Sequence, residues 1–220
     1  GHPRYGAAYW DAWHATAGSE AFDWYVDYWS LRELFKEQLP APTEEPEILD
    51  VGCGNSEVPA RLFEDGWQYV TAIDLSAEAI RLAKSSEKNS TKHEMQFLQM
   101  DVSSLDFPDD CFHVVFDKGT LDTIVASSQA YLRAEAVLAE IYRVLRPGGI
   151  YLMVSHSGPC RRVQYLTKDA SRPWQIEVAK LEGSNFGIAG DSGDGEEDEG
   201  EEAKKTFFYV YLCKKPGSES

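Results

Sequence analysis

The chain has 220 residues, 43% of them hydrophobic, and a formal net charge of −16 at pH 7. That length buries a sizeable core within one domain. The negative charge excludes phosphate-backbone binding as the main activity, because a nucleic-acid surface needs an excess of Lys and Arg. No apolar run approaches the ~20 residues of a bilayer span, so neither nucleic acid nor membrane is an expected partner. The four cysteines, Cys53, Cys111, Cys160 and Cys213, form no C-x-x-C pair and no zinc spacing. They read as free thiols in a reducing setting, cytoplasmic by expectation, although a cleaved mitochondrial presequence would leave no trace. No metal site is expected, and a monomer is.

Taken in chain order, residues 20 to 39 suggest an N-terminal helix, with Phe22, Tyr25, Tyr28, Trp29 and Leu34 at apolar positions. The proline-rich connector from Pro40 to Pro46 stops it. Ile48-Leu49-Asp50-Val51 reads as a strand that breaks into Gly52-Cys53-Gly54. A helix start follows from Glu57 to Phe63, with Asn55 or Ser56 available as N-cap. Strand, glycine turn and helix N-terminus together form the entry of a doubly wound α/β nucleotide site. A dinucleotide fingerprint would place a third glycine at position 57, where this chain has Glu57. A fixed carboxylate at a helix start competes with a pyrophosphate for the same N–H groups, so the expected ligand is not a dinucleotide.

The second strand, Tyr69 to Ile73, ends at Asp74, twenty residues after Gly54, where a carboxylate accepts both hydroxyls of a ribose. A helix from Ala77 to Glu87 follows, capped by Ser76. The third strand, Met95 to Met100, ends in Asp101-Val102, and the fourth, Phe112 to Phe116, ends in Asp117-Lys118-Gly119. Four successive strands thus end in acids, Asp50, Asp74, Asp101 and Asp117. Ligands of open α/β sheets lie at the carboxyl ends of the strands, so these side chains are expected to line one rim. An acidic rim suits a cationic, ribose-bearing cofactor. Ala130 to Leu145 predicts a long helix stopped at Arg146-Pro147-Gly148-Gly149, and Ile150 to Val154 a fifth strand. Trp174 to Leu181 and Phe207 to Leu212 read as two further strands. Between them, residues 191 to 202 hold eight acids and no base. Such a run cannot bury apolar area and is expected to be a disordered loop.

Asp50-x-Gly52-x-Gly54, Asp74 and Asp101 resemble the cofactor motifs of class I S-adenosylmethionine-dependent methyltransferases over residues 46 to 156. A narrower resemblance rests on Tyr9-Trp10-Asp11, Phe22-Asp23-Trp24-Tyr25, Gly52-Cys53-Gly54-Asn55-Ser56 and Asp117-Lys118-Gly119-Thr120-Leu121-Asp122. Together these are similar to the eukaryotic lysine methyltransferases that act on translation elongation factor 1A, a group to which a mitochondrial citrate synthase methyltransferase is related. The resemblance implies a Rossmann-like, mostly parallel seven-stranded sheet closed by an antiparallel C-terminal hairpin. It divides the single domain into an N-terminal helical cap (1–45), a cofactor-binding core (46–156) and C-terminal strands carrying the acidic loop (157–220). The loop is either an electrostatic lure for a basic protein substrate or an inert solvated insertion.

The resemblance also implies roles. S-adenosyl-L-methionine, leaving as S-adenosyl-L-homocysteine, would pass Gly52 and Gly54 with its methionine half, and Asp50 and Asn55 would also bind it. Asp74 would take the ribose, Leu75 the adenine face, and Asp101 and the Val102 N–H the adenine edge. Trp10 and Trp24 would fold over the sulfonium, since π faces attract cations. The family often carries an aromatic residue where His14 stands. Asp117, Lys118 and Asp122 would form the catalytic loop, with Lys118 near the cofactor. The plain structural readings are a cap before Ser76 for Asp74, a cap at Ser103-Ser104 for Asp101, and for Lys118 a pairing with Asp117 or Asp122. The implied acceptor is a protein lysine, with elongation factor 1A as partner. A small-molecule acceptor and a non-catalytic cofactor-binding module are the alternatives. A free lysine with pKa near 10.4 is under roughly 0.1% neutral at pH 7, so the acceptor must shed a proton. Asp122 and Asp117 are candidates to orient the amine, Tyr25 a weaker one, and His156, just beyond the fifth strand, could serve as a base, although a lone histidine is more often structural.

Overall fold

Short β-branched and aromatic runs build the sheet. β1 (Ile48–Val51) lies parallel between β2 (Val70–Asp74) and β4 (Phe112–Lys118), and β3 (Gln96–Gln99) extends it beyond β2. β5 (Leu145–Ser155) continues parallel on β4. β7 (Thr206–Lys214) then runs antiparallel between β5 and β6 (Gln175–Gly183), giving the order β3-β2-β1-β4-β5-β7-β6. The computed structural model describes residues 6–18, 20–86, 95–126, 129–183 and 206–217. The acidic segment 191–202, and with it the loop expected between the last two strands, lies outside the described residues, as does Glu87.

Seven helices are described: α1 (Ala7–Ala17), α2 (Tyr28–Gln38), α3 (Val58–Glu64), α4 (Ala77–Ser85), α5 (Thr120–Val125), α6 (Ala130–Val144) and α7 (Pro159–Leu166). Strand alternation distributes them over two faces. Ile48, Val70, Val114, Phe116, Leu152 and Val154 point to one side, against Leu31 and Phe35 of α2, Leu62 of α3 and Ile80 of α4. Leu49, Val51, Val115, Tyr151 and Met153 point to the other, against Leu121 of α5, Leu138 and Ile141 of α6 and Leu166 of α7. With helices on both faces, all four residues of β1 are buried. The chain leaves β1 toward β2 on one side, and β4 returns on the other. The crevice where the order reverses is the expected ligand position.

Three expectations change. The helix expected over residues 20 to 39 is only α2, preceded by an irregular strap of residues 20 to 27, and α1 is a separate helix before that strap. Asp27 starts α2 by accepting from Ser30 N–H at 3.0 Å, while Tyr25 takes φ 68° and breaks any earlier turn. The fifth strand begins at Leu145, because the Arg146–Gly149 turn is absorbed into an irregular pairing with β4, and the Gly148 N–H donates to Lys215 O at 3.0 Å. α1, α5 and α7 carry no strong periodic signal in the sequence and appear only in the structure. The Ser76 cap is present, accepting from Ala79 N–H at 3.0 Å.

Phe35 is fully buried and meets the Phe116 ring edge-on at 5.2 Å. Phe35→Ala is expected to lower stability by about 3–5 kcal/mol in urea unfolding, since the hole lies between α2 and the sheet centre.

Candidate functional site

The glycine turn is built for backbone approach. Gly52 and Gly54 have φ of 69° and 54°, in the left-handed region that side chains avoid. A Cβ on Gly52 would stand 2.0 Å from Thr120 Oγ1, which donates to Val51 O at 2.8 Å. The turn is pinned from β2, where Ile73 O accepts from Gly52 N–H and Cys53 N–H. Asp74 Oδ2 accepts from Gly54 N–H and its Oδ1 from Ser76 N–H, each at 2.8 Å. This carboxylate therefore joins the glycine turn to the start of α4.

A cavity opens at this point, at the carboxyl ends of β1, β2 and β4. Its wall includes Asp50, Gly52, Gly54, Asn55, Asp74, Leu75, Asp101, Val102, Lys118 and Thr120. Burial pushes the Asp50 carboxyl up to about 8, against the opposing pull of Lys118. Burial also raises Asp74, opposed by the Ser76 and Gly54 N–H groups. Asp101 Oδ1 accepts from Ser103 N–H at 2.9 Å and from its hydroxyl at 2.7 Å, so it caps a turn while lining the cavity.

Asp117, the fourth strand-end acid, departs from the expected rim. It is buried and accepts from Thr120 N–H (2.8 Å), Leu121 N–H (3.1 Å) and the Tyr151 hydroxyl (2.8 Å). Those donors spend both of its oxygens on the start of α5, and it is not part of the cavity wall. Burial raises its pKa to about 7, against the Tyr151 and Thr120 hydrogen bonds.

The N-terminal segment roofs the cavity. Trp10, His14, Phe22 and Trp24 line it, with Trp10 and Trp24 edge-to-face at 6.4 Å and Phe22 and Trp24 at 5.2 Å. Polar bonds between distant parts of the chain hold this roof. Asp11 accepts from the Ser76 hydroxyl (2.6 Å) and Glu78 N–H (3.2 Å), docking α1 on α4. Asn55 Nδ2 donates to Glu20 O at 2.6 Å. Lys118 pairs with Asp23 and donates to Val26 O at 2.8 Å, and the Ser56 hydroxyl also donates to Asp23. The expected pairing of Lys118 with Asp117 or Asp122 is absent, because its buried amine is taken by the strap. Asp11, Glu20 and Asp23 were not singled out from the sequence as site residues; an acid among aromatics in Tyr9-Trp10-Asp11 and Phe22-Asp23-Trp24 was the available signal.

Beside the cavity lies a second cluster, centred on Asp122. Its oxygens accept from the Tyr25 hydroxyl (2.9 Å), Ser155 hydroxyl (2.6 Å), His156 N–H (2.9 Å) and Arg162 Nε (2.7 Å), and His156 Nδ1 stands 2.6 Å away. Burial would raise this carboxyl, but His156, Arg162 and Ser155 outweigh it and hold it well below the usual carboxylate range. Tyr25 lines the cofactor-side cavity, stacks on Phe208 at 5.0 Å, and would meet a Cβ on Gly119 at 3.1 Å. Asp122 itself is not in that cavity's wall. It faces a second cavity, with His156, Arg161, Arg162 and Gln164.

Residues 49–153 match a family described as a methyltransferase domain. The mouse "eEF1A lysine and N-terminal methyltransferase" is 38% identical over 151 residues, 68% of this chain and 21% of that protein. The mouse "EEF1A lysine methyltransferase 4" is 34% identical over 166 residues, 71% of this chain and 63% of that one. The chain thus spans about a fifth of the length of the first of these relatives. Among solved structures, a Methanosarcina mazei protein described as a SAM-dependent methyltransferase superposes with TM-score 0.58 at 21% identity, covering 84% of this chain and 98% of that one. The [4+2]-cyclase SpnF shares the fold with TM-score 0.61 at 16% identity, covering 86% and 80%, so the fold alone does not fix the reaction. Residues 49–153 thus carry a methyltransferase domain, the sheet has the fold of the class I S-adenosylmethionine-dependent methyltransferases, and in sequence the chain is similar to the eEF1A lysine methyltransferases.

The residues fit that family's cofactor. A glycine turn with positive φ leaves room for backbone contact, three acids suit a cation with ribose hydroxyls, and indole faces roof the cavity. One consequence is electrostatic. Asp50 holds its proton in the folded chain to about 8, while an unfolded Asp ionises near 3.9. The folded chain therefore binds the extra proton between those values, and that contribution to stability is lost as pH rises through about 8. A cationic ligand favours the ionised form, so its binding at pH 7 is expected to release a proton. Calorimetry in two buffers of different ionisation enthalpy measures that release, and Asp50→Asn should abolish it. Equal release from both proteins would remove Asp50 from the cofactor's surroundings.

Proposed function

We propose that this chain transfers a methyl group from S-adenosyl-L-methionine to the ε-amine of a lysine in a protein, and that elongation factor 1A is the substrate. The observation that carries this reading is the 34–38% identity to eEF1A lysine methyltransferases over about two thirds of the chain. The aligned family domain includes the glycine turn, Asp74, Asp101 and the 117–122 loop. Gly52, Gly54 and Asp50 would hold the methionine half of the cofactor, Asp74 the ribose, and Leu75, Asp101 and Val102 the adenine, beneath Trp10 and Trp24. The bound cofactor supplies an electrophilic methyl group on a sulfonium.

The protein's own task is to position an amine and take away its proton. Three aromatic rings and the strap cover the cavity, and an apolar cover disfavours the charged ammonium. Tyr25 lines the cavity, and its hydroxyl would accept from the amine. Asp122 acts at one remove. Its oxygens are already occupied by Tyr25, Ser155, His156 and Arg162, so it orients Tyr25 rather than the substrate. Lys118 holds the strap closed through Asp23 and Val26 O, and Asp117 fixes the start of α5.

Incubation with radiolabelled S-adenosylmethionine and a eukaryotic extract, followed by a denaturing gel, tests the reading. The expected result is one labelled band at the size of elongation factor 1A. It should be lost on Asp74→Ala, with folding checked by circular dichroism. Label in another protein would overturn the substrate and keep the reaction, and label confined to small molecules would overturn the protein acceptor.

A further inference from the structure

Two cavities meet at one side-chain network. Tyr25 lines the cofactor-side cavity, and Asp122 and His156 line the second. The Tyr25 hydroxyl stands 2.9 Å from Asp122 Oδ2 and 3.1 Å from His156 Nδ1. His156 is 53% exposed at its side chain, while Asp122 is 3% exposed. The network thus runs from a covered cavity, through a buried carboxylate, to an imidazole at the surface.

The geometry is held from several elements. The strap contributes Tyr25 with φ 68°, a conformation costly for a ring-bearing residue and retained where its surroundings fix it. Phe208 stacks on one face of that ring. β5 ends in Ser155, whose hydroxyl donates to Asp122, and α7 supplies the Arg162 guanidinium. The charged and titratable groups around His156 are therefore Asp122 from α5, Tyr25 from the strap, and Arg161 and Arg162 from α7 on the wall of the same cavity. A structural role alone would need only the Tyr25–Asp122 bond. The exposed imidazole within reach of both groups is the part that role leaves unexplained.

We infer that Tyr25, Asp122 and His156 form the exit path for the proton of the acceptor amine, leading from the cofactor-side cavity to solvent in the second cavity. This rests on the protein-lysine reading above. The ammonium gives one proton to Tyr25 Oη as Tyr25 passes its own to His156 Nδ1, leaving a neutral amine. The imidazolium so formed sits against the Asp122 carboxylate. It then releases its Nε2 proton to water, and the exposed ring exchanges its remaining proton from Nδ1 to Nε2 through solvent, which frees Nδ1 for the next turnover, so one proton leaves for each amine neutralised. Tyr25 touches the substrate. His156 and Asp122 act through it. A phenol so strongly held in its protonated form by burial and Asp122 works only by passing one proton as it receives another, which is why a partner base must be within reach.

The test uses elongation factor 1A as acceptor, and the eukaryotic extract where that protein is not labelled. His156→Gln keeps a polar side chain at an exposed position and should leave cofactor affinity unchanged, because His156 does not line that cavity. Its kcat should fall about 100-fold at neutral pH, with KM unchanged. Raising the pH or adding free imidazole should recover it. Tyr25→Phe, which keeps the stack on Phe208, should lose a similar factor, and the double variant no more than either. A wild-type chain that labels acceptor while His156→Gln matches its kcat and pH profile would overturn the relay alone. A wild-type chain that labels no protein would overturn the lysine reading and the relay with it.

Discussion

A single buried amine organises the cofactor side of this molecule. Lys118 sits at the end of β4, where three strand-end carboxylates converge, and it is 9% exposed. A buried charge must be paired and hydrogen-bonded to be tolerated. Lys118 meets that demand outside its own loop, by binding Asp23 and Val26 O in a strap ninety residues earlier in the sequence. The same bonds fix the strap over the crevice, place Trp24 and Tyr25 on its inner side, and bring positive charge near Asp50. Removing the partner would leave an uncompensated charge in the interior, so roof and sheet are energetically one unit.

Around that point the acids divide their work by position. Asp50 is buried without a fixed donor of its own among the described bonds and holds its proton to about 8. Asp74 shares itself between two backbone N–H groups and the cavity. Asp117 and Asp122 lie five residues apart yet have opposite electrostatics. Burial dominates at Asp117 and raises it, while at Asp122 burial is the largest single influence but is outweighed by His156, Arg162 and Ser155 together, which lower it. One loop thus carries a carboxyl that shapes a helix start and a carboxylate that anchors a surface-reaching network.

Much of the fold was legible because the strands are short, apolar and punctuated. Ile48–Val51, Val70–Asp74, Phe112–Lys118 and the β6/β7 pair fall close to where β-branched and aromatic runs place them, and Ser76 caps α4 as its position suggests. The N-terminal boundary was less legible. The apolar residues of 20 to 39 do recur at helical spacing, yet Tyr25 and Asp27 start α2 late, since tertiary contacts with Phe208, Asp122 and Lys118 hold the strap out of the helix. α5 and α7, six and eight residues long, are too short to show a period.

The sequence by itself determined the class of sheet, the glycine turn at Gly52 and Gly54, and the acids at the strand ends, because these depend on local propensity and on spacing along one chain. Only the tertiary structure decided which of those acids face the cavity, that Lys118 serves the strap rather than its own loop, and that Tyr25, Asp122 and His156 meet. Those are choices among partners 95, 97 and 131 residues apart. A donor or acceptor is equally satisfied by any partner that burial brings within reach, so only the packing of the layers selects one.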